Sequence, residues 1–446
     1  MCLGPWRIYC LVCLLSKTSK VKMNDKFHVV SMVFNAVKGD SRVIKTAQAA
    51  LNLGCRATIV GVTSSRNVEH TEVEGVSVVL VPNFSAELKK SGLWGEYRHD
   101  LRLLIGGFLQ SAIPQIVELR PSLLHSHDMF SLKIGISAQK ALAADGYSVP
   151  WVHDLHEFVA GLKGEIAEKY FMPICLDWER EYLHLANHLF TVSDALALEI
   201  QNRYFLSNLP TVTYNTPNLK FYNGAGEDVR SAIGLDKKSQ LVAFVGGATQ
   251  LRGCDTILDA VSMVDGVHIV FISQGPYVEE MHNRAKLLGM ANRFHVHPYV
   301  SIDTVSSFIR TANIGIHGLV HYPNAEVAMP NKMFEYLHAG LPMVVSDVAC
   351  MKEFVENNGI GLSFIAGDAV SCAEKIRSLL DQESIYRKAI TPELQTQYSW
   401  EQQEEKIQSV YQKFISKKFE HSDYVDRDAA FNWCKYDNAL FDNLLA

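Results

Sequence analysis

Residues 329–342 read MPNKMFEYLHAGLP, and they decide how the second half of the chain is built. Pro330 suits the first turn of a helix, while Gly340 followed by Pro342 makes a stop, so the helix is short and its amino end sharply defined. Met333, Phe334 and Leu337 fall on a core-facing side and leave Lys332 and Glu335, three apart, on the adjacent polar face. Unpaired N–H groups at the amino end offer a place for an anion. A carboxylate one turn behind such a site is well placed to accept two hydroxyl hydrogen bonds from a ribose. The plainer reading is a capped surface helix with an i, i+3 ion pair.

Working outward, apolar runs at 241–245, 267–273, 293–297, 314–318 and 342–346 read as strands with helices between them. The same alternation fills the front of the chain. Residues 27–34, 57–62, 76–81 and 150–154 are strand-like, and 43–53, 97–119 and 132–144 are helix-like. Such β/α alternation implies parallel sheets covered by helices on both faces. The fold class expected is therefore α/β with two doubly wound, Rossmann-like domains facing across a cleft. Turn residues at Tyr214-Asn215-Thr216-Pro217-Asn218 separate them, giving a first domain over 23–215 and a second over 216–398. Ligands of such sheets sit at the carboxyl ends of the strands, which puts the active site between the domains.

At 446 residues the chain has length for more than one core. A net charge of -6 with interspersed signs gives no basic stripe, so nucleic acid is not an expected partner. Nine scattered cysteines make no disulfide framework and fit a reducing, cytoplasmic setting. Residues 1–22 hold an apolar run too short to span a bilayer, and they read as an extension outside the fold or a weak anchor at the inner face of a membrane. Cys10 and Cys13 lack a second pair and carry no metal expectation. Residues 418–446 form a tail with no assignable period.

Pro330-Asn331-Lys332-Met333-Phe334-Glu335-Tyr336, followed by Ala339-Gly340-Leu341-Pro342, resembles the donor-binding motif of glycosyltransferase family 4, retaining enzymes of the GT-B fold. Further pieces resemble that family in order. Val37-Lys38-Gly39-Asp40-Ser41-Arg42 is similar to its amino-terminal loop, and His125-Ser126-His127-Asp128 to the strand end carrying its active-site histidine. His153-Asp154-Leu155-His156-Glu157 and Thr191-Val192-Ser193 resemble first-domain motifs. Gly246-Gly247 with Arg252-Gly253 resembles the phosphate-contacting loop, and Ser399-Trp400-Glu401 the terminal helix, whose residues 399–417 are expected to return to the first domain.

The resemblance implies a metal-independent transferase without cofactor that moves a sugar from a nucleotide-sugar donor to a carbohydrate or lipid-linked hydroxyl. It implies His127 as the catalytic residue and Gly39, Gly246, Arg252, Asn331, Lys332 and Glu335 as donor ligands. Lys38, Asp40, Arg42, Asp154, His156 and Glu157 fall on the acceptor side. Two positions depart from the pattern. The glutamate expected eight residues before Glu335 is Val327, leaving Glu326 next door as a candidate sugar contact, and Gly246 stands where a basic residue is common. His125 and His127 share a strand face and, with His153, His156, Asp154 and Glu157, also draw a metal site. No later lysine, histidine and aspartate set completes that site, and polar histidines lining the cleft are the simpler reading for His125, His153 and His156. The rivals to transfer are a sugar-nucleotide epimerase or hydrolase on the same fold and a silent sugar-nucleotide binder.

Overall fold

The computed structural model describes residues 26–219 and 226–416, so the extension over 1–22 and the tail over 418–446 lie outside the described residues. The first unit has strands β1 (His28–Met32), β2 (Arg56–Thr63), β3 (Glu69–Val73), β4 (Val76–Pro82), β5 (Leu123–His127), β6 (Trp151–Leu155), β7 (His188–Thr191) and β8 (Thr211–Val212). Their order is β3-β4-β2-β1-β5-β6-β7-β8. The second unit has β9 (Gln240–Val245), β10 (Val267–Ile272), β11 (Phe294–His297), β12 (Ile314–His317), β13 (Met343–Ser346) and β14 (Gly361–Phe364), ordered β11-β10-β9-β12-β13-β14. Both are the doubly wound α/β sheets that the sequence pattern implies, and in each the order of the parallel strands reverses once, between β1 and β5 and between β9 and β12.

Apolar clusters cover both faces of each sheet. Trp151, Phe108 and Ile134 pack one face of the first, and Val43, Ala47, Phe190 and Trp400 the other. The second is held between Phe244, Phe271 and Ile376 on one side and Met333, Phe334 and Met351 on the other. The Trp400–Ser416 helix leaves the second unit and lies on the first, against the Ser41–Asn52 helix. Asn52 Nδ2 donates to Glu404 Oε1 at 2.6 Å, and the Tyr411 hydroxyl meets His125 Nδ1 at 2.7 Å. Lys45 secures both crossings between units, since its ammonium donates to Thr216 O at 2.6 Å and lies 4.5 Å from the Trp400 ring centre.

Several elements depart from the sequence pattern, among them β7 and β8, which no expected strand covers. β3 is antiparallel, a charged and exposed edge (EHTEV) with no apolar run to announce it. β14 is short and begins at a glycine whose Cβ would lie 2.1 Å from Met343 O. The expected helix over 97–119 is two, Trp94–Tyr97 and Leu101–Leu119, because Asp100 caps the second by accepting from Leu103 N at 3.0 Å. Among the described residues no helix is long and apolar enough to cross a membrane.

Candidate functional site

The loop after β1 turns on its own side chains. Asn35 accepts from Val37 N at 2.7 Å and donates to Asp40 Oδ2 at 2.8 Å, while Asp40 Oδ1 accepts from Val43 N at the start of the Ser41–Asn52 helix. Asp40 is thus a helix cap. Val37 holds φ +65, a costly conformation for a β-branched residue, and Gly39 holds +87. This shape presents Lys38 and Gly39 to the cleft.

Behind that loop, Arg42 spends its guanidinium internally. It grips Asp154 with Nε at 2.8 Å and Nη2 at 2.7 Å, and it donates to Thr213 O at 2.6 Å and Thr213 Oγ1 at 2.8 Å. The fork ties the carboxyl ends of β6 and β8 to the helix, and Arg42 and Asp154 are both buried. Burial alone would raise the Asp154 pKa, but Arg42 above all, with His156 and His127, holds it well below the usual carboxylate range.

His127 and His156 approach the same carboxylate, Nδ1 at 3.3 Å and Nε2 at 3.4 Å. Burial depresses His127, whereas for His156 the pull of Asp154 outweighs burial and raises its pKa. His127 is completely buried, one layer behind His156, whose ring centre is 5.8 Å away. The reading of His125 and His153 as cleft-lining residues is corrected here. His125 is sealed beneath Tyr411, and His153 bonds Ser126 Oγ at 2.8 Å on the opposite face of the sheet, as strand alternation dictates. His125, His127 and Asp154 do place ligand-type atoms within 4.8 Å of one another. Both Asp154 oxygens are held by Arg42, however, and His125 Nδ1 by Tyr411, which leaves only His125 Nε2 and the His127 nitrogens without a hydrogen-bond partner.

On the second unit, Gly246 and Gly247 close β9. Gly246 holds φ +109, and a Cβ there would lie 3.3 Å from Lys332 Cε, while one on Gly247 would lie 2.8 Å from Arg252 Nη1. Two glycines therefore let two cations approach one another. Arg252 donates to Gly247 O at 2.7 Å, and neither cation has a carboxylate partner among the described residues. Burial, then Arg252, lowers the Lys332 pKa to about 8. Pro330 is the N-cap of the Asn331–His338 helix rather than its first residue, which leaves the Asn331 and Lys332 N–H groups free of intrahelical partners. Gly340 ends the helix at φ +68.

Lys332 and Glu335 form no ion pair, which removes the plainer reading of this helix. Glu335 is half-buried; burial raises its pKa against the pull of Lys332 and Lys45. Glu326 is occupied by the protein, accepting from Ala349 N at 2.9 Å and meeting His321 Nδ1 at 2.6 Å. At Val327, the position of the expected glutamate, the backbone carbonyl accepts from the Ser193 hydroxyl.

A cavity of about 700 Å³ lies between the units. Lys38, Gly39, Asp40, Arg42, His156 and Glu157 line it from the first, and Arg252, Asn331 and Lys332 from the second. His127, Asp154, Gly246, Glu326 and Glu335 do not line it. Asn324 bridges the two sides, donating to Glu157 Oε2 at 2.6 Å and accepting from Phe158 N at 2.8 Å. Sequence reasoning missed Asn324 and also His317, which lines the cavity at the end of β12. A polar residue closing an apolar strand (IGIH) was the available signal for His317, as it was for His127.

Residues 226–412 match the family of glycosyl transferases group 1, and residues 41–215 match the glycosyl transferase 4-like domain. The D-inositol 3-phosphate glycosyltransferase of Mycolicibacterium gilvum is 28% identical over 202 residues, 43% of this chain and 44% of that protein. Its Mycolicibacterium smegmatis counterpart is 23% identical over 303 residues, 66% and 67% of the respective chains. The chain thus spans about half to two thirds of these relatives. Sucrose-phosphate synthase from Thermosynechococcus elongatus superposes with a TM-score of 0.71 at 14% identity, over 88% of this chain and all of that one. HepE from Anabaena, in complex with UDP and glucose, gives 0.65 at 14% identity over 87% and 100%. At such identities the likeness establishes the fold, the GT-B arrangement of two facing α/β units.

Proposed function

The chain belongs to the group 1 glycosyl transferases, and on that premise we propose that it moves a sugar from a nucleoside diphosphate sugar to an acceptor hydroxyl in the cavity between its units. The observation that carries this is the pairing of Arg252 with Lys332 around a side-chain-free loop, with neither ion-paired to a carboxylate among the described residues. Two adjacent cations repel, and a diphosphate at the start of the Asn331–His338 helix offsets that repulsion while satisfying free N–H groups. Asn331 and Gly246 border the same anion, and Glu335 accepts from the ribose. Stabilising the departing diphosphate lowers the barrier as the anomeric carbon gains positive charge.

The first unit supplies the acceptor wall, with Lys38, His156 and Glu157 facing the hydroxyl of a carbohydrate or lipid-linked substrate, while Gly39 borders the donor. His127, nominated as the catalytic histidine, is buried behind His156 and does not line the cavity, so in this reading it acts on the donor sugar through His156, with Asp154 orienting both rings. Transfer is retaining, as the family resemblance implies, and with no carboxylate nominated as a nucleophile on the sugar face the acceptor attacks from the side the diphosphate leaves, the leaving phosphate taking its proton. In this reading Arg252, Lys332 and the helix start supply the charge without a metal or cofactor, and excess EDTA should leave turnover intact.

Screening nucleotide-sugars by thermal shift identifies the donor, because a ligand that binds only the folded state raises its stability. Donor plus acceptor then yields a glycoside of retained configuration by NMR. Free sugar or an epimer from donor alone contradicts transfer. In the same assay His127→Ala lowers kcat far more than it weakens nucleoside diphosphate binding; equal losses would make the residue structural.

A further inference from the structure

We propose that His317 is a donor-binding residue, hydrogen-bonding a phosphoryl oxygen of the nucleoside diphosphate held between Arg252 and Lys332; this rests on the function proposed above. Six histidines are deeply buried among the described residues. Four have a ring nitrogen in a hydrogen bond to the protein: His28 with Leu119 O and Thr58 Oγ1, His125 with Tyr411, His153 with Ser126 and His338 with Tyr398 O. His127 and His317 alone leave both ring nitrogens without such a bond. They occupy corresponding places. His127 ends β5 and His317 ends β12, each beside the point where its sheet reverses strand order, where doubly wound sheets receive ligands.

The surroundings name the ligand. His317 borders the cavity with Arg252 and Lys332, and its ring centre lies 5.9 Å from that of Phe244. Burial, and then the charges of Lys332 and Arg252, hold its pKa well below the ordinary value, so the ring is uncharged and offers one N–H and one lone pair. A buried imidazole with neither group satisfied costs free energy in the empty protein, and a ligand oxygen relieves it. The oxygen that two neighbouring cations draw to this place is anionic. The site thus adds a neutral donor to two charged ones, on the strand that pairs with the one leading into the Gly246–Gly247 loop.

The test compares the parent protein with His317→Phe and His317→Gln, using UDP, GDP and ADP, and the matching nucleosides, as calorimetric probes. Whichever diphosphate the parent binds should bind His317→Phe about tenfold or more weakly, with nucleoside affinity unchanged. His317→Gln, which keeps a neutral donor and acceptor, should stay within about threefold of the parent. Ligand-free His317→Phe should melt no lower than the parent, because an unsatisfied polar group has been replaced by an apolar ring of similar shape. Diphosphate binding unchanged in His317→Phe, or nucleoside binding lost in parallel, overturns the proposal while leaving the proposed function standing. A parent that binds none of the three diphosphates overturns both.

Discussion

The two walls of the cleft treat their arginines in opposite ways. On the first unit Arg42 is buried, with its guanidinium forked onto Asp154 and Thr213, so its charge is consumed in holding strand ends together. On the second, Arg252 lies beside Lys332 with a backbone carbonyl as its hydrogen-bond acceptor and no ion-paired carboxylate among the described residues. The charge of one wall's arginine is met by a carboxylate without a ligand, and that of the other's is not. The difference teaches which nominated residues serve the architecture and which wait for substrate, something their residue types do not reveal.

The largest effect expected from this contrast is on stability. Arg42→Met leaves Asp154 buried with only the two histidines as partners and should cost about 3–5 kcal/mol in chemical denaturation. A loss under 1 kcal/mol would mean that the first wall is less internally committed than its geometry implies. On the other wall, Glu335→Gln should weaken nucleoside diphosphate binding by about ten- to a hundredfold, through a weakened pair of ribose hydrogen bonds, and leave the melting temperature alone. Unchanged affinity would make Glu335 an ordinary helix acid.

A pH effect of several-fold sharpens the comparison further. Lys332 titrates near 8 in the free protein, and a bound diphosphate stabilises its protonated form. Affinity is therefore full below that value and falls as pH rises through it, with net proton uptake on binding near pH 8, measurable in buffers of different ionisation enthalpy. Smallest of all is Glu326→Gln, which should change diphosphate affinity by less than about twofold, because the carboxylate is engaged by His321 and Ala349 N.

Much of this was legible in the sequence because strands buried on both faces are written as apolar runs, and both doubly wound sheets follow from them. β3 was not, since an exposed antiparallel edge needs no such run. The loop glycines and the helix over residues 331–338 were legible because backbone geometry restricts what can stand there. Partnership was not: Arg42 and Arg252 look alike until Asp154, 112 positions from Arg42, is seen to meet one of them. His153 falls out of the histidine cluster for a simpler reason, since it alternates to the other face of β6, while His317 escaped because nothing near it in sequence suggested that its ring would lack a partner.

The central claim is that Arg252 and Lys332 together hold the donor diphosphate. The most direct measurement is calorimetric affinity for the preferred nucleoside diphosphate in the parent and in Lys332→Met, with the free nucleoside as reference. The account predicts a loss of about tenfold to a hundredfold for the diphosphate, none for the nucleoside, and a ligand-free melting temperature equal to or above the parent's, because removing one of two repelling cations relieves the empty site. Full diphosphate affinity in Lys332→Met, or a fall in ligand-free stability with it, would contradict the account.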